Sequence, residues 1–414
     1  MKILWLSHLI PYPPKGGVLQ RSYNLVKEIS RYHEVDLLAF NQKELIGPLF
    51  ESVSAGVEEA RIALSVLCRR LSFFEIASDC STYGAYTLAL KSLFHEPYNI
   101  NWLKSKAFAA TMTSWLEQEK YDLVHFDTIS LVPFFSLLPP VIATTLDHHN
   151  IESHMLLRRS ARETNVLKRL YFWQEGVRLA GYERRYCPQF SLNITCSDID
   201  KKRLLGLAPQ SKVLSIPNGV DLDFFKPVGL PIHPNRLIFV GTMNWYPNVE
   251  AVLYIADNLW PRLKKMHPNL TFDVIGANPP DKIRSLADRF ADFHIHGFVD
   301  DVRPFIETAT VYVCPIRDGG GTKLKILDAM AMAKAVVAHP VACEGINVTH
   351  DKNILLADDD TSFINHIDSL LNTEDRRYAL GMAARKLIEQ YYGYHAIGEQ
   401  LSNAYRDCVW GTGA

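Results

Sequence analysis

The sequence predicts an α/β protein built from two doubly wound domains. Short apolar runs of strand length alternate with stretches of helical spacing. The alternation occurs twice, and a Pro- and Gly-rich join at 206–235 separates the two rounds. The expected division is 1–208, 209–388 and a last helical stretch at 389–414.

The first round opens with a strand at 2–7. A loop at 8–17 carries Pro11, Pro13, Pro14, Gly16 and Gly17, and residues 18–31 then place Leu19, Tyr23, Val26 and Ile29 on one helical face. A strand at 35–40 completes a β-loop-α-β unit, which implies parallel pairing through a right-handed crossover. Runs at 121–126, 141–146, 191–196 and 212–216 supply further strands. The segment 62–94 mixes Leu, Phe and Tyr with basic residues, Arg61 just before it and Arg69 and Arg70 within it. It reads either as a core helix or as an amphipathic interfacial segment. The second round has strands at 236–240, 271–275, 293–296, 311–315 and 335–339. Helices at 248–266, 281–290, 302–308 and 322–333 fall between them, and 362–371 and 374–405 read as helix alone.

A chain of 414 residues suggests two or three domains, and 48% hydrophobic against 21% charged residues is enough to bury full cores. Lys and Arg number 44 against 45 Asp and Glu, a balance that argues against a nucleic-acid binder. The seven Cys are scattered, odd in number and without CxxC spacing, which argues against a disulfide framework or structural zinc and for a reducing cytoplasm. The N-terminal apolar run is broken by Ser7, His8 and prolines, unlike a signal peptide, and no run of 18 apolar residues occurs. Residues 151–208 hold eleven basic against six acidic residues. They read as a solvated helix face or as a surface for anionic lipid or a phosphorylated acceptor, which leaves a peripheral contact at the inner face of the membrane open.

The segment from Arg317 to Asp328 carries the most chemistry. It follows the strand at 311–315 and opens a helix. Gly320 and Gly321 let phosphates approach the backbone, and amides at the helix start attract an anion. Thr322, Lys323, Leu324 and Lys325 follow, and Arg317 can add a bidentate contact. Asp328, deeper in the helix, suits the paired hydroxyls of a ribose. A Gly-rich helix cap is the alternative, since the segment is neither GxGxxG nor GxxxxGK[ST].

Several segments resemble the GT-B family of retaining nucleotide-sugar glycosyltransferases, family 4-like, group 1. They are IPNGVDLDFF (216–225), LIFVGTMNWYPN (237–248), HIHGFVDDV (294–302) and GGGTKLKILDAMAMAKAVVAHPVACEGI (319–346), joined more weakly by Gly16-Gly17 and LDHHNIES (146–153). The resemblance implies two Rossmann-like domains facing across a cleft, the first for the acceptor and the second for the donor, with the last helix returning to the first domain. It places Asp328 at the second acid of the E-x7-E motif. Gly320 replaces the first, as in the subgroup with a GxGTxLK donor loop. Gly16, Gly17, Gly241, Thr242 and the loop Arg317 to Lys325 would meet the donor and its diphosphate. The usual Arg and Lys are replaced by Thr242 and by Pro247 or Asn248, so Arg317, Lys323 and Lys325 are expected to take over part of their task. Phe298 and Val299 would cradle the nucleobase or simply pack.

His149-Asn150-Ile151-Glu152 resembles the family's HN-x-E element, which makes His149 rather than His148 the candidate catalytic group. The histidines as helix-capping loop residues are the alternative. Adjacent His side chains diverge and no third ligand stands near them in sequence, so no metal is expected. Asp221-Leu222-Asp223 reads as a structural loop and Asp358 to Asp360 as a helix cap. No cofactor is implied. The expected partners are a nucleoside diphosphate sugar and a glycan or lipid-linked acceptor, in a bacterial exopolysaccharide or surface-glycan setting. A sugar-nucleotide epimerase or hydrolase and a non-catalytic binding subunit are the rivals.

Overall fold

The computed structural model describes the chain except Gly16, Thr82, His95, Gly319, Gly320, Gly321 and 412–414. Gly16, Gly320 and Gly321, expected to meet the donor, therefore lie outside the described residues. The chain forms two compact units, Met1–Pro217 with Ile397–Ala414, and Asn218–Ala396.

In the first unit, β1 (Lys2–Ser7), β2 (Glu34–Asn41), β3 (Arg70–Glu75), β4 (Leu123–Phe126), β5 (Ala143–His148), β6 (Leu192–Thr195) and β7 (Val213–Ser215) make one sheet in the order β3-β2-β1-β4-β5-β6-β7. Every pairing is parallel. Both faces of the central strands are buried, as helices on both sides of a parallel sheet require. Side chains alternate between two cores: Leu4 and Leu6 join Phe40, Phe108 and Phe126 on one face, and Ile3 and Trp5 join Val26 and Leu37 on the other. The last helix, Tyr394–Trp410, adds Ile397, Leu401, Ala404 and Tyr405 to the second of these cores.

The segment 62–94 is neither a core helix nor one interfacial segment. It holds the end of the helix Val53–Ser65, the edge strand β3 and the helix Gly84–Ser92. Arg69 ends the first turn of this detour in a double hydrogen bond to buried Asp36 on β2, at 3.0 and 2.5 Å, which fixes where β3 begins.

In the second unit, β8 (Arg236–Val240), β9 (Thr271–Ile275), β10 (Phe293–Gly297), β11 (Val311–Cys314), β12 (Val336–Ala338) and β13 (Leu355–Leu356) form a parallel sheet in the order β10-β9-β8-β11-β12-β13. The helix expected at 248–266 is interrupted by a π turn at Ile255–Leu259, between Tyr246–Tyr254 and Trp260–Met266. Pro261 has no N–H to give back to the preceding turn, and its ring displaces the carbonyl it would have met. The helical stretch at 374–405 breaks at Gly393, where a Cβ would come within 2.8 Å of Leu222 and the backbone pairs with Val220. The helix expected from 322 starts at Leu324, leaving Thr322 and Lys323 in the loop. Among the described residues no helix is long and apolar enough to cross a membrane.

Candidate active site

Open parallel sheets bind ligands beyond the carboxyl ends of their strands, where the strand order reverses. In the first unit that point lies between β1 and β4, and in the second between β8 and β11. The sequence puts His8 directly after β1 and Asp127 directly after β4. It puts Gly241 and Thr242 directly after β8, and the Arg317 loop after β11.

Asp127 is fully buried and organises the first constellation. Its Oδ2 accepts from Ser7 Oγ at 3.0 Å, Ser22 Oγ at 3.1 Å and His8 Nδ1 at 3.1 Å, and its Oδ1 accepts from His149 Nε2 at 3.0 Å. Burial alone would push this carboxyl up, but the His149 and His8 rings outweigh it and hold Asp127 well below the usual carboxylate range. Burial likewise works against a charged His149; Asp127, through charge and hydrogen bond, and Asp147 raise its imidazole above the ordinary histidine value. Arg21 grips Asp147 with two bonds of 3.0 Å and reaches the Ile216 and Pro217 carbonyls at 3.3 and 3.2 Å. Burial opposes the ionised form of Asp147, and the Arg21 guanidinium overcomes it. Behind them His125, its ring tilted 34° to that of Trp5 with centroids 3.8 Å apart, meets Tyr405 of the last helix at 2.8 Å, and burial lowers its pKa to about 4.

His148 faces away, fully buried, with Nε2 3.0 Å from Asn193 Oδ1. The adjacent histidines thus diverge as strand geometry requires, and neither caps a helix. Beside His149 lies a cavity of about 300 Å³ lined by His8, Trp102, Asn150 and Glu152 among others. Glu152 is steadied there by Thr128 at 2.7 Å and Asn99 at 2.5 Å, and the buried Asn150 Oδ1 has no hydrogen-bond partner. A second cavity of about 270 Å³ shares Asn99, Leu156 and Arg159 with the first and adds Tyr98, Tyr171 and Phe172.

Sequence reasoning missed Asp127, His8, Arg21 and Asp147. His8 and Asp127 were open to the same strand-end rule that singled out His149. The third ligand thought missing also exists, because His8, Asp127 and His149 lie together. Here the three are linked by hydrogen bonds, Asp127 accepting from both rings as well as from Ser7 and Ser22. Asp273 with His294 and His296 forms a similar group, with Asp273 Oδ1 3.1 and 2.8 Å from the two rings.

In the second unit the predicted residues converge on Lys325. A Cβ on Gly241 would lie 2.3 Å from Lys325 Nζ and 2.8 Å from the Asn248 amide, so only glycine leaves room for the ammonium. Asn248, one of the two positions (Pro247 or Asn248) compared with the family's usual lysine, accepts from that same ammonium through Oδ1, and its Nδ2 donates to the Thr242 carbonyl at 2.7 Å. Lys325, in the first turn of the helix Leu324–Ala331, thus places its ammonium beside the turn after β8. Burial lowers the Lys325 pKa to about 8, with neighbouring Lys323 adding to the fall. Asp328 is partly buried, its buried Oδ1 has no hydrogen-bond partner, and desolvation pushes its carboxyl up to about 8. Thr322 Oγ1 is also buried without a partner. Leu324 packs into the core with its side chain.

Arg317 does not join the lysines. Its guanidinium lies 4.2 Å over the Tyr254 ring and bonds the Tyr254 hydroxyl at 2.8 Å and the Asp358 carbonyl at 3.2 Å. Phe298 stands half exposed after Gly297, whose φ of 69° turns the chain off β10, while Val299 packs on the core. Asp221 accepts from the backbone amides of Asp223 and Phe224, a turn rather than a cation site. Asp359 caps the helix Asp360–Asn372. Gly17 begins the helix Gly17–Ile29.

Two doubly wound units, each with polar groups gathered at its strand-order reversal, define a glycosyltransferase of the GT-B type. The chain belongs to Glycosyltransferase Family 4, whose model matches residues 15–224, half of its length; a second model, Glycosyl transferases group 1, matches 234–373. Over 98% of its length the chain is similar to Alr3699/HepE of Anabaena solved with UDP (14% identity, 99% of that chain, TM-score 0.64). Sucrose-phosphate synthase of Thermosynechococcus elongatus matches over the same share (14%, 99%, TM-score 0.69). So does TarM of S. aureus, solved with fondaparinux, alpha-GlcNAc-glycerol and UDP (12%, 99%, TM-score 0.67). An uncharacterized 44.6 kDa protein in the cps region of Klebsiella pneumoniae is 23% identical over 94% of this chain and 96% of its own length.

Proposed function

We propose that the protein moves a sugar from a nucleoside diphosphate donor to a glycan or lipid-linked acceptor, with retention at the anomeric carbon, in the assembly of a bacterial surface polysaccharide. The observation that carries this reading is the pair of complementary groups at the second unit's strand-order reversal. A partly buried ammonium, Lys325, and a buried carboxyl oxygen with no hydrogen-bond partner, on Asp328, suit a diphosphate and a ribose hydroxyl in turn. Gly241, Thr242 and the loop 317–325, with Gly320 and Gly321, would bring backbone amides to the phosphates. Gly16 and Gly17 would serve the donor from the first unit, and Phe298 with Val299 would take the base. UDP in the Anabaena and S. aureus relatives, and the cps setting of the Klebsiella relative, support donor class and pathway.

In this mechanism the bond from the anomeric carbon to the diphosphate oxygen breaks while the acceptor hydroxyl attacks from the same face. The departing oxygen takes the hydroxyl proton, and Lys325 and Lys323 stabilise its charge. His149, kept basic by Asp127, donates to the sugar as charge develops. The test is a panel of nucleoside diphosphate sugars with and without capsular glycan acceptors, followed by NMR of the new linkage. Acceptor-dependent turnover with the donor's configuration supports the reading. Equal turnover without acceptor would make the protein a hydrolase or epimerase.

A further inference from the structure

The helix Val166–Tyr186 carries an apolar stripe that the first unit does not cover. Val166, Leu170, Trp173 and Val177 recur at spacings of four, three and four residues, which puts them on one face, and they are 69, 57, 53 and 47% exposed. The helix Gly84–Ser92 continues the theme: Tyr86, Leu90 and, just beyond its end, Phe94 are 76, 62 and 82% exposed. The two helices adjoin, since Gln174 Nε2 donates to the Leu93 carbonyl at 3.1 Å and Arg178 donates to the Ser92 carbonyl. Scattered exposed apolar residues need no explanation, but two neighbouring stripes of aromatic and aliphatic side chains mark an interaction surface.

The charge of this surface selects its partner. Both carboxylates of the long helix, Glu175 and Glu183, are buried, whereas Lys168, Arg169, Arg184 and Arg185 are exposed, and Lys91 is exposed on the shorter helix. The charge these two helices show to solvent is therefore positive throughout. A second copy would bring like charges together across a two-fold contact, which disfavours self-association. We infer that the apolar stripes and exposed cations of these two helices dock the protein on an anionic phospholipid bilayer, with Leu170 and Trp173 entering the headgroup boundary and the cations meeting the phosphates. Resting on the transferase reading, this makes the acceptor a glycan on a membrane lipid.

The test is co-sedimentation of the full chain with vesicles of equimolar phosphatidylglycerol and phosphatidylcholine, and with vesicles of phosphatidylcholine alone. Wild type should pellet with the first, stay largely soluble with the second, and be released as salt rises. Arg169→Glu with Arg184→Glu should weaken binding by at least about fivefold for each cation removed. Leu170→Ser with Trp173→Ser should weaken it independently of salt. Equal binding to both vesicles, no binding to either, either variant pelleting like wild type, or dimerisation by light scattering that the serine variant abolishes would each overturn the proposal. No nucleotide or acceptor is needed, so failure here leaves the transferase reading standing. Loss of that reading through absent nucleotide binding would leave the docking result standing.

Discussion

At the level of single residues, a carboxylate that already accepts four hydrogen bonds acts through its donors, and for Asp127 two of those donors, His8 and His149, line the cavity. Asp127→Asn removes the main group that raises the His149 pKa, so the fall in activity on the alkaline side should move to lower pH, while the fold persists; a pH–rate profile checks this. His149→Ala should lower kcat with donor affinity largely kept, whereas His148→Ala leaves Asn193 Oδ1 unpaired and should cost about 1–3 kcal/mol of stability in denaturant melts. Asp328 gives a pH signature of another kind. Its folded value of about 8 lies above the ordinary 3.8, so the stability it contributes is full below the unfolded value and is lost as pH rises toward the folded one. Asp328→Asn has no such proton, and its Tm relative to wild type should climb between pH 4 and pH 8. The sequence made His149 visible because it follows a strand in an HN-x-E context. It hid Asp127 and His8 because Asp127 lies 22 residues from His149 along the chain and His8 a further 119 before Asp127. Only the parallel order of β1, β4 and β5 brings the three together.

Among elements, the turn after β8 and the loop after β11 depend on one another. Gly241 leaves the space that Lys325 fills, and Gly276 in turn approaches the Gly241 carbonyl so closely that a Cβ there would lie 1.9 Å from it. Gly241→Ala should keep the fold, because the end of a lysine side chain can swing aside, yet should weaken nucleoside diphosphate binding about tenfold through loss of a charge-assisted contact; a calorimetric titration reads this. Central strands were legible because burial on both faces makes them continuous apolar runs. β3 was not, since an edge strand alternates half-exposed aromatic and polar residues and looks like an amphipathic helix over six positions. β13, two residues long, left no run to read. The π turn was hidden because Pro261 is also a usual first-turn residue.

For the whole molecule, two doubly wound sheets repeat one plan, and each gathers its chemistry where the strand order reverses. That plan was readable from the double alternation of strands and helices. The units meet in sequence at Pro217 and Asn218, and again at Ala396 and Ile397. Such a boundary leaves little trace, because the last helix begins in one unit and packs its apolar side chains in the other's core. The segment 317–328 was legible as a motif, with Arg317, Lys323 and Lys325 expected to share one task, but their arrangement was not: only the fold shows Lys325 reaching Asn248 beside Gly241 while Arg317 lies over the Tyr254 ring. The most direct measurement is therefore calorimetry of uridine, guanosine and adenosine diphosphates, each beside its nucleoside, with wild type and with Lys325→Ala. One diphosphate should bind wild type more tightly than its nucleoside by at least about tenfold, and Lys325→Ala should remove most of that preference. Absence of diphosphate binding, or an undiminished preference in Lys325→Ala, would contradict a nucleotide-sugar donor held at this loop.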